Sequence, residues 1–286
     1  MKKKSVSKKL SSDEKKFNKI ISEIKSVKIQ GANAIARAGI EAYSLFPTKI
    51  HSKKILSTRP TEPLLQNFMK ILENSKDIKK TARNLLRYMD SSQRTINRNG
   101  YNLIKNDMKI FSHCHSSSVV EMLKYAKRKG RNFTVYTTEV EPLLQGRKTA
   151  RALANAGIKV IIMPDLAAEQ YLQHCDIFFF GADAYSRKYI FNKIGTSTLV
   201  KIANLYNVPC YSVGFSLKFA NKVVLEKRSG KEVWDERHPL IFPMNPAFSK
   251  LKGRSVNGII SESGITPYNK FVKLAKINLR NISKQP

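Results

Sequence analysis

The sequence has 286 residues, of which 42% are hydrophobic, so it is long enough for one large domain or two ordinary ones with a buried core. No apolar run approaches the roughly 18–20 residues that a membrane-spanning helix needs, and no apolar signal-peptide region follows the lysines at positions 2–4. The three cysteines, Cys114, Cys175 and Cys210, form no C-x-x-C pair, which argues against a disulfide framework and fits a reducing compartment. We therefore expect a soluble cytoplasmic protein that makes no membrane contact.

The composition is strongly basic, because 52 lysines and arginines against 21 acidic residues give a formal net charge of +31. Such an excess indicates a polyanionic partner: a nucleic acid, an acidic membrane surface or a phosphorylated substrate. The excess is mostly lysine and is spread along the chain, without the arginine-rich stripe or the zinc-finger, RNP-type or helix-turn-helix pattern of a specific nucleic-acid binder. Charge alone therefore leaves contact with RNA open and does not define the function. Residues 1–12 are predicted to be a basic flexible tail.

The first hundred residues are predicted to be helical. Apolar residues at spacings of three and four indicate amphipathic helices over 13–29, 31–46, 63–74 and 78–96. Asn99-Gly100 is a helix-stop or turn signal. The pattern therefore predicts an N-terminal helical domain over residues 13–105.

From Lys109 onward, short apolar runs alternate with helical patterns. The runs are 109–111, 133–136, 160–163, 177–180, 208–213 and 259–260, and the helical patterns are 117–129, 143–156, 167–174 and 195–206. This alternation predicts an α/β fold, in which a Rossmann-like domain with a mainly parallel sheet over residues 106–286 follows the helical domain. No G-x-G-x-x-G or Walker A pattern is present, so we expect no dinucleotide, ATP or other cofactor.

Ligands of open α/β sheets lie outside the carboxyl ends of the strands, and the first of these ends reads Ser112-His113-Cys114-His115 followed by three serines. Serines that enter a helix cap it, and the free backbone N–H groups there favour a phosphate. The same position is expected to lower the pKa of the Cys114 thiol and fit it for acid–base chemistry. The alternative is an ordinary strand-to-helix junction with a buried cysteine.

Polar residues also follow the later strands. Asp183 comes after the fourth strand and is suited either to cap the next segment or to transfer a proton. Asn192 and Lys193 are predicted to open the next helix, and Lys218 follows the fifth strand. Together these positions favour a sugar phosphate or another phosphorylated ligand. His113 and His115 flank the cysteine without a carboxylate–histidine cluster, so no metal site is predicted.

At these residues the sequence resembles the α/β/δ regulatory subunits of translation initiation factor 2B, a family that also includes sugar-phosphate isomerases. The resemblance runs from about Ile29 to Ile265. The segments that support it are Ile29–Ala32, Arg59-Pro60-Thr61, Thr138-Glu139 with Pro142, Gln145 and Gly146, Gly181-Ala182-Asp183, Asn192–Thr196, Leu217-Lys218-Phe219 and Asn245–Phe248. Cys114 and Asp183 stand where the isomerases of the family carry these residues. The short spacing before the helix, His113-Cys114-His115-Ser116, resembles the ribose-1,5-bisphosphate isomerase branch more than the methylthioribose-1-phosphate isomerases.

The resemblance implies an aldose–ketose isomerisation of ribose 1,5-bisphosphate to ribulose 1,5-bisphosphate through a cis-phosphoenolate, in nucleotide salvage. It implies that Cys114 accepts a proton and that Asp183 donates one. The residues expected to bind substrate are Gln30, Gly31, Ala32, Asn33, Arg59, Ser116, Ser117, Ser118, Asn192, Lys193 and Lys218. The resemblance also implies a homo-oligomer, either a dimer or a hexamer, and leaves a nucleotide effector open.

The sequence departs from the isomerase pattern at several positions. Gln30 replaces the arginine of an R-G-A-G loop that grips a phosphate, Ser117 stands where a lysine is frequent, and Glu141 stands where an arginine is common. The spacing from Asp183 to Asn192 is one residue shorter than usual. Since glutamine at position 30 also occurs in regulatory members, a second hypothesis stays open. This is a non-catalytic regulatory protein that binds a phosphorylated ligand and a translation factor or an RNA-containing complex.

Overall fold

The computed structural model describes residues 10–225 and 227–284. Most of the predicted basic tail therefore lies outside the described residues. Ser11 caps the first helix by accepting a hydrogen bond from the backbone N–H of Glu14, whose side chain in turn accepts from the backbone N–H of Ser11. This capping box fixes the start of the helical region.

Five helices form the N-terminal region: α1 (Ser12–Lys25), α2 (Ala32–Leu45), α3 (Lys49–Leu56), α4 (Pro63–Glu73) and α5 (Ile78–Tyr101). Four of them match the predicted helices. Helix α3 was not predicted, because it is lysine-rich and buries only Ser52 and Ile55. A helix with so narrow an apolar stripe gives little periodic signal.

The large sheet has seven strands in the order β10-β9-β7-β4-β1-β2-β3. Its members are β1 (Met108–His113), β2 (Phe133–Thr138), β3 (Lys159–Met163), β4 (Ile177–Gly181), β7 (Cys210–Val213), β9 (Gly258–Ser261) and β10 (Gly264–Thr266). All neighbouring pairs are parallel except β9 and β10. Every residue of the central strand β4 is buried, as its uninterrupted apolar run requires. The predicted mainly parallel α/β fold is confirmed.

Helices α6 (Ser117–Arg128), α7 (Gln145–Ala154), α8 (Ala168–Leu172), α9 (Thr196–Leu205) and α10 (Tyr268–Lys284) accompany the strands. A second, antiparallel sheet has the order β5-β6-β8 and comprises β5 (Ala184–Tyr185), β6 (Tyr189–Lys193) and β8 (Phe248–Lys252). This small sheet was not predicted. It also corrects one expectation, because Asn192 and Lys193 end strand β6 and do not open a helix; α9 begins at Thr196.

One apolar core joins the helical region to the large sheet. Ile24 and Leu65 of the helices belong to the same buried cluster as Ile110 and Ile177 of the strands. A second cluster, which includes Phe178 and Phe271, lies on the other side of β4. The loops of the helical region are thereby held against the edge of the sheet where the strands end.

Candidate active site

A cleft that is partly open to solvent lies at the carboxyl ends of the strands. Cys114 directly follows β1, Asp183 lies two residues after β4, and Lys218 belongs to the 3₁₀ turn Ser216–Lys218 that follows β7. All three line the cleft, because β7, β4 and β1 are neighbours in the sheet. The predicted residues that line it are Gln30, Gly31, Ala32, Arg59, Cys114, Ser116, Ser117, Asp183, Asn192, Lys193 and Lys218.

Two of the predicted substrate-binding residues do not line the cleft. The amide nitrogen of Asn33 donates to Ser117 Oγ at 3.0 Å and to Ser118 Oγ at 3.2 Å. Ser118 is buried. Asn33 and Ser118 therefore join the start of α2 to the start of α6 and stabilise the wall of the cleft from behind.

The backbone at Cys114 is in the left-handed region, with φ of 66°, which is uncommon for a residue other than glycine. Thr149 Oγ1 donates to the Cys114 carbonyl at 3.0 Å, and the thiol points toward Gln145 Oε1 at 3.7 Å. Both partners belong to helix α7. The strained turn is thus held by the next crossover helix, an arrangement typical of functional positions.

The prediction that a helix start lowers the pKa of Cys114 is wrong. Burial raises the pKa of this thiol to about 12, and the negative charge of Asp183 adds to the effect. Cys114 precedes the cap residue Ser116 by two positions, so loss of hydration outweighs the helix dipole. At neutral pH the group is a thiol, and the cleft holds it beside an acidic side chain that disfavours its ionisation.

Both histidines around Cys114 are neutral, because burial lowers each pKa to about 4. His115 Nδ1 lies 2.9 Å from Thr149 Oγ1 and donates to it, since that hydroxyl gives its own hydrogen to the Cys114 carbonyl. His113 Nε2 donates to the Ile194 carbonyl at 2.9 Å. His113 therefore joins the end of β1 to the segment between β6 and α9.

The buried imidazole of His113 predicts a loss of stability in mild acid. Its pKa is about 4 in the folded state against an ordinary 6.5, so between these values the unfolded chain binds a proton that the folded chain does not. We expect His113 to remove about 2 kcal/mol from the free energy of unfolding between pH 7 and pH 5. Urea unfolding at both pH values measures this loss. His113→Gln, whose amide can still donate to Ile194, should reduce the pH dependence by the same amount, and an unchanged dependence would contradict the assignment.

Two buried lysines supply positive charge to the cleft. Lys218 Nζ donates to the Ala182 carbonyl at 2.7 Å. Burial lowers the pKa of Lys218, whereas Asp183 and Glu62 favour its charged form. Burial also lowers the pKa of Lys193. Lys218 is thus a buried group with a fixed acceptor in place of part of its hydration, so an incoming phosphate need not displace much water from it.

The helical region positions the turn that holds Lys218. Asn67 Nδ2 of α4 donates to the carbonyls of Leu217 at 2.8 Å and Phe219 at 3.1 Å, on either side of the lysine. The Glu262 carboxylate accepts from the backbone N–H of Ser216 at 3.1 Å. It also accepts at 2.6 Å from the hydroxyl of Tyr88, on α5. The turn is therefore fixed from both the helices and the β9–β10 connection.

The approach of α6 to β4 depends on Gly181. A Cβ at this position would lie 2.6 Å from Cβ and Oγ of Ser116, closer than side chains pack. The missing side chain lets the cap of α6 lie directly over the end of β4. Ser116 and the Asp183 segment consequently share one wall of the cleft.

Sequence reasoning missed several residues that line the cleft, among them Glu62, His115, Leu143, Arg228 and Glu232. Glu62 is buried and forms an ion pair with Arg59 at 3.5 Å. His115 stands beside the cysteine in the sequence, so proximity was a usable signal. Arg228 and Glu232 lie in an irregular segment without periodicity, and no sequence pattern placed them at the cleft.

The fold and the cleft together define a class: α/β proteins with a ligand cleft outside the carboxyl ends of neighbouring parallel strands. The chain belongs to the initiation factor 2 subunit family, whose family model matches residues 28–268. Among the described residues, no helix is both long and apolar enough to cross a bilayer.

Some relatives are named as isomerases and others as translation initiation factor subunits. A ribose 1,5-bisphosphate isomerase from Methanocaldococcus jannaschii is 31% identical over 277 residues, covering 86% of this chain and 89% of the relative. A putative translation initiation factor eIF-2B subunit 2-like protein from Pyrococcus abyssi is 30% identical over 266 residues, covering 86% of this chain and 94% of the relative. The crystal structure of translation initiation factor eIF-2B from Pyrococcus horikoshii OT3 matches with a TM-score of 0.81 and 26% identity, covering 92% of this chain and all of that chain.

Proposed function

We propose that this protein is a sugar-phosphate aldose–ketose isomerase that converts ribose 1,5-bisphosphate to ribulose 1,5-bisphosphate. The observation that supports it most is that Cys114 and Asp183 line one cleft together with Lys193 and Lys218. Proton transfer next to a carbonyl needs one group that accepts a proton and one that donates. The similarity to the ribose 1,5-bisphosphate isomerase of Methanocaldococcus jannaschii points to the same substrate class.

The proposed reaction begins with opening of the ribose ring: the bond between C1 and the ring oxygen breaks, and the ring oxygen takes the proton that the C2 hydroxyl gives up as C2 becomes a carbonyl. Cys114 then removes the proton from C2, which gives a cis-phosphoenolate, and Asp183 delivers a proton to C1, which gives the ketose. For these roles the cysteine must be a thiolate and the aspartate a carboxylic acid. A thiol with a carboxylate carries the same one proton as a thiolate with a carboxylic acid, so its transfer from Cys114 to Asp183 prepares both groups with no net gain or loss of protons.

The cations of the cleft are proposed to bind the phosphates and the developing enolate. Lys193, Lys218 and Arg59 supply charge, and the N-terminal turn of α6 supplies Ser116, Ser117 and free backbone N–H groups. A group of fixed donors in a partly dehydrated cleft stabilises negative charge more strongly than water does.

Turnover by the purified protein tests the proposal. Ribose 1,5-bisphosphate is incubated with the wild type in D₂O, and the product is followed by ³¹P and ¹H NMR. We expect ribulose 1,5-bisphosphate that carries solvent deuterium at C1, because the hydrogen passes through exchangeable protein groups. Product without deuterium would indicate a direct hydride shift, and absence of turnover would overturn the proposal.

One observation favours a second candidate, a non-catalytic regulatory protein that binds a phosphorylated ligand and a translation partner. Gln30 lines the cleft where the isomerase pattern has an arginine, and some relatives are named as initiation factor subunits. For this candidate we expect no turnover and retention of an initiation factor or ribosomal component from cell extract at physiological salt. Assembly into a homo-oligomer, a nucleotide effector and contact with RNA stay predictions.

A further inference from the structure

The segment between Phe219 and β8 contributes an ion pair to the cleft. Its described residues, 220–225 and 227–247, include one short 3₁₀ turn, Gly230–Glu232, and are otherwise irregular. Arg228 donates through Nε to Glu232 Oε2 at 3.2 Å and through Nη2 to Glu232 Oε1. Both side chains line the cleft and are mostly buried, with 19% and 20% of their surfaces exposed. We call these two residues the Arg228–Glu232 pair.

The acidic member of the pair has a second partner. Asn245 Nδ2 donates to Glu232 Oε2 at 2.8 Å and to the Ser229 carbonyl at 2.9 Å. Glu232 would therefore keep a hydrogen bond if Arg228 turned away from it. Arg228 is the member that can change its partner without leaving a buried carboxylate unsatisfied.

The charges of the Arg228–Glu232 pair affect the pKa of Lys193, the cation at the end of β6. Glu232 favours the charged form of Lys193 and Arg228 opposes it. A phosphate bound at Lys193 would thus meet the cation Arg228 and the anion Glu232, in addition to the charge of Asp183. Glu232 repels the phosphate, and Arg228 stays bound to Glu232 until the phosphate arrives.

The positive and negative side chains that line the cleft nearly balance, which makes the charge of Arg228 important for binding an anionic ligand. The charged residues that line it are Arg59, Lys193, Lys218 and Arg228 on the positive side and Glu62, Asp183 and Glu232 on the negative side. A sugar bisphosphate brings about −3 to −4 at neutral pH. Gln30 adds no charge to the cleft, and among the described lining residues Arg228 is the guanidinium besides Arg59 that can bind a phosphate in bidentate fashion.

We propose that Arg228 is a phosphate-binding residue of this site and that Glu232 competes with the ligand for it. When a sugar bisphosphate enters, the guanidinium exchanges the Glu232 carboxylate for oxygens of one phosphate, and Asn245 retains Glu232. The pair then sets the preference for a bisphosphate over a monophosphate. This inference rests on the proposed function, because it concerns how the same cleft selects its substrate.

Binding of ribulose 1,5-bisphosphate, ribose 1-phosphate and ribose 5-phosphate, each measured by titration calorimetry, tests the inference. Arg228→Gln should weaken bisphosphate binding about 10- to 100-fold, since a charge-assisted bidentate contact is lost. It should leave the monophosphate that lacks the contacted phosphate nearly unchanged. Glu232→Gln should tighten bisphosphate binding several-fold, because Arg228 is released and one negative charge is removed. Arg237→Gln makes the same change of charge at an exposed position of the same segment and should have no effect.

Opposite signs for the two variants separate ligand binding from a structural role. If Arg228→Gln and Glu232→Gln weaken bisphosphate binding equally, the pair only holds the segment in place and the inference is wrong. Unchanged binding in Arg228→Gln would also overturn it. Arg228→Lys, which keeps the charge but not the planar fork, should fall between wild type and Arg228→Gln, and thermal unfolding of each variant verifies folding.

The outcomes also distinguish this inference from the proposed function. A wild type that binds the bisphosphate without turnover, and loses that binding in Arg228→Gln, would support the inference and reject the isomerase. A wild type that turns over while Arg228→Gln keeps its KM would support the isomerase and reject the inference. A wild type that binds no bisphosphate would reject both.

Discussion

Cys114→Ser should lower kcat/KM for ribose 1,5-bisphosphate by about 10³-fold, the scale of a lost general base. Serine keeps the size of the side chain and can still donate to Gln145, but its hydroxyl is a far weaker acid than the thiol. Steady-state kinetics on both proteins measures the loss. Cys175→Ser is the matched control, because burial raises that thiol's pKa to about 12 as well, yet it lies outside the cleft. An active Cys114→Ser protein would remove this residue from the reaction.

The pH dependence tests whether Cys114 and Asp183 act as a pair. If one proton moves between them, the active and the resting forms have the same total protonation, so kcat/KM of the wild type should be flat between pH 7 and pH 9. Asp183→Asn removes the partner that takes this proton. Its small residual activity should then rise about tenfold per pH unit over that range, because it follows the thiolate fraction of a group with a high pKa. A flat profile in Asp183→Asn would contradict the shared proton.

The convergence of the candidate site could be predicted from the sequence because it depends on topology alone. Cys114, Asp183 and Lys218 follow apolar runs that read as parallel strands, and the carboxyl ends of such strands meet at one edge. The structure places these strands side by side, in the order β7-β4-β1. The alternation of strand and helix patterns was therefore enough to predict that residues about a hundred positions apart lie close together.

The chemical state of the site could not be predicted in the same way. The sequence placed Cys114 near a helix start, but the pKa of its thiol depends on how much water the surrounding segments exclude and on the charge of Asp183. Both are set by packing between distant parts of the chain. For the same reason, no sequence pattern indicated that Arg228 and Glu232 reach the cleft. Their segment has no hydrophobic periodicity, and its described residues form no regular secondary structure beyond one short turn.

Some of the secondary-structure elements that were not predicted have a recognisable sequence pattern, and others do not. Helix α10 buries Phe271, Val272 and Ala275, whose spacing of one, three and four is typical of a helix. Strand β5 is only two residues long, and β6 ends in the polar residues Asn192 and Lys193, which also fit a helix start. Short antiparallel strands of this kind are defined by their pairing partner, here β8, which lies more than fifty residues away along the chain.

Gly146→Ala should destabilise the fold by about 3–5 kcal/mol and abolish activity. A Cβ at Gly146 would lie 1.7 Å from the Thr138 carbonyl oxygen and 2.8 Å from its carbon. These are backbone atoms at the end of β2, so they cannot rotate away as a flexible side chain would. Helix α7 would have to move, and with it Gln145 and Thr149, which hold the side chain and carbonyl of Cys114.

Gly130→Ala separates this collision from the ordinary effect of replacing a glycine. Gly130 has φ of 88°, and a Cβ added there would meet no heavy atom within 4 Å, so alanine meets only the backbone preference, about 1 kcal/mol. Urea unfolding of both variants measures the difference. Equal losses would mean that α7 does not depend on its close approach to β2. A larger loss in Gly146→Ala, with kcat lost in that variant alone, would show that the glycine that allows α7 to approach β2 also positions the Cys114 thiol.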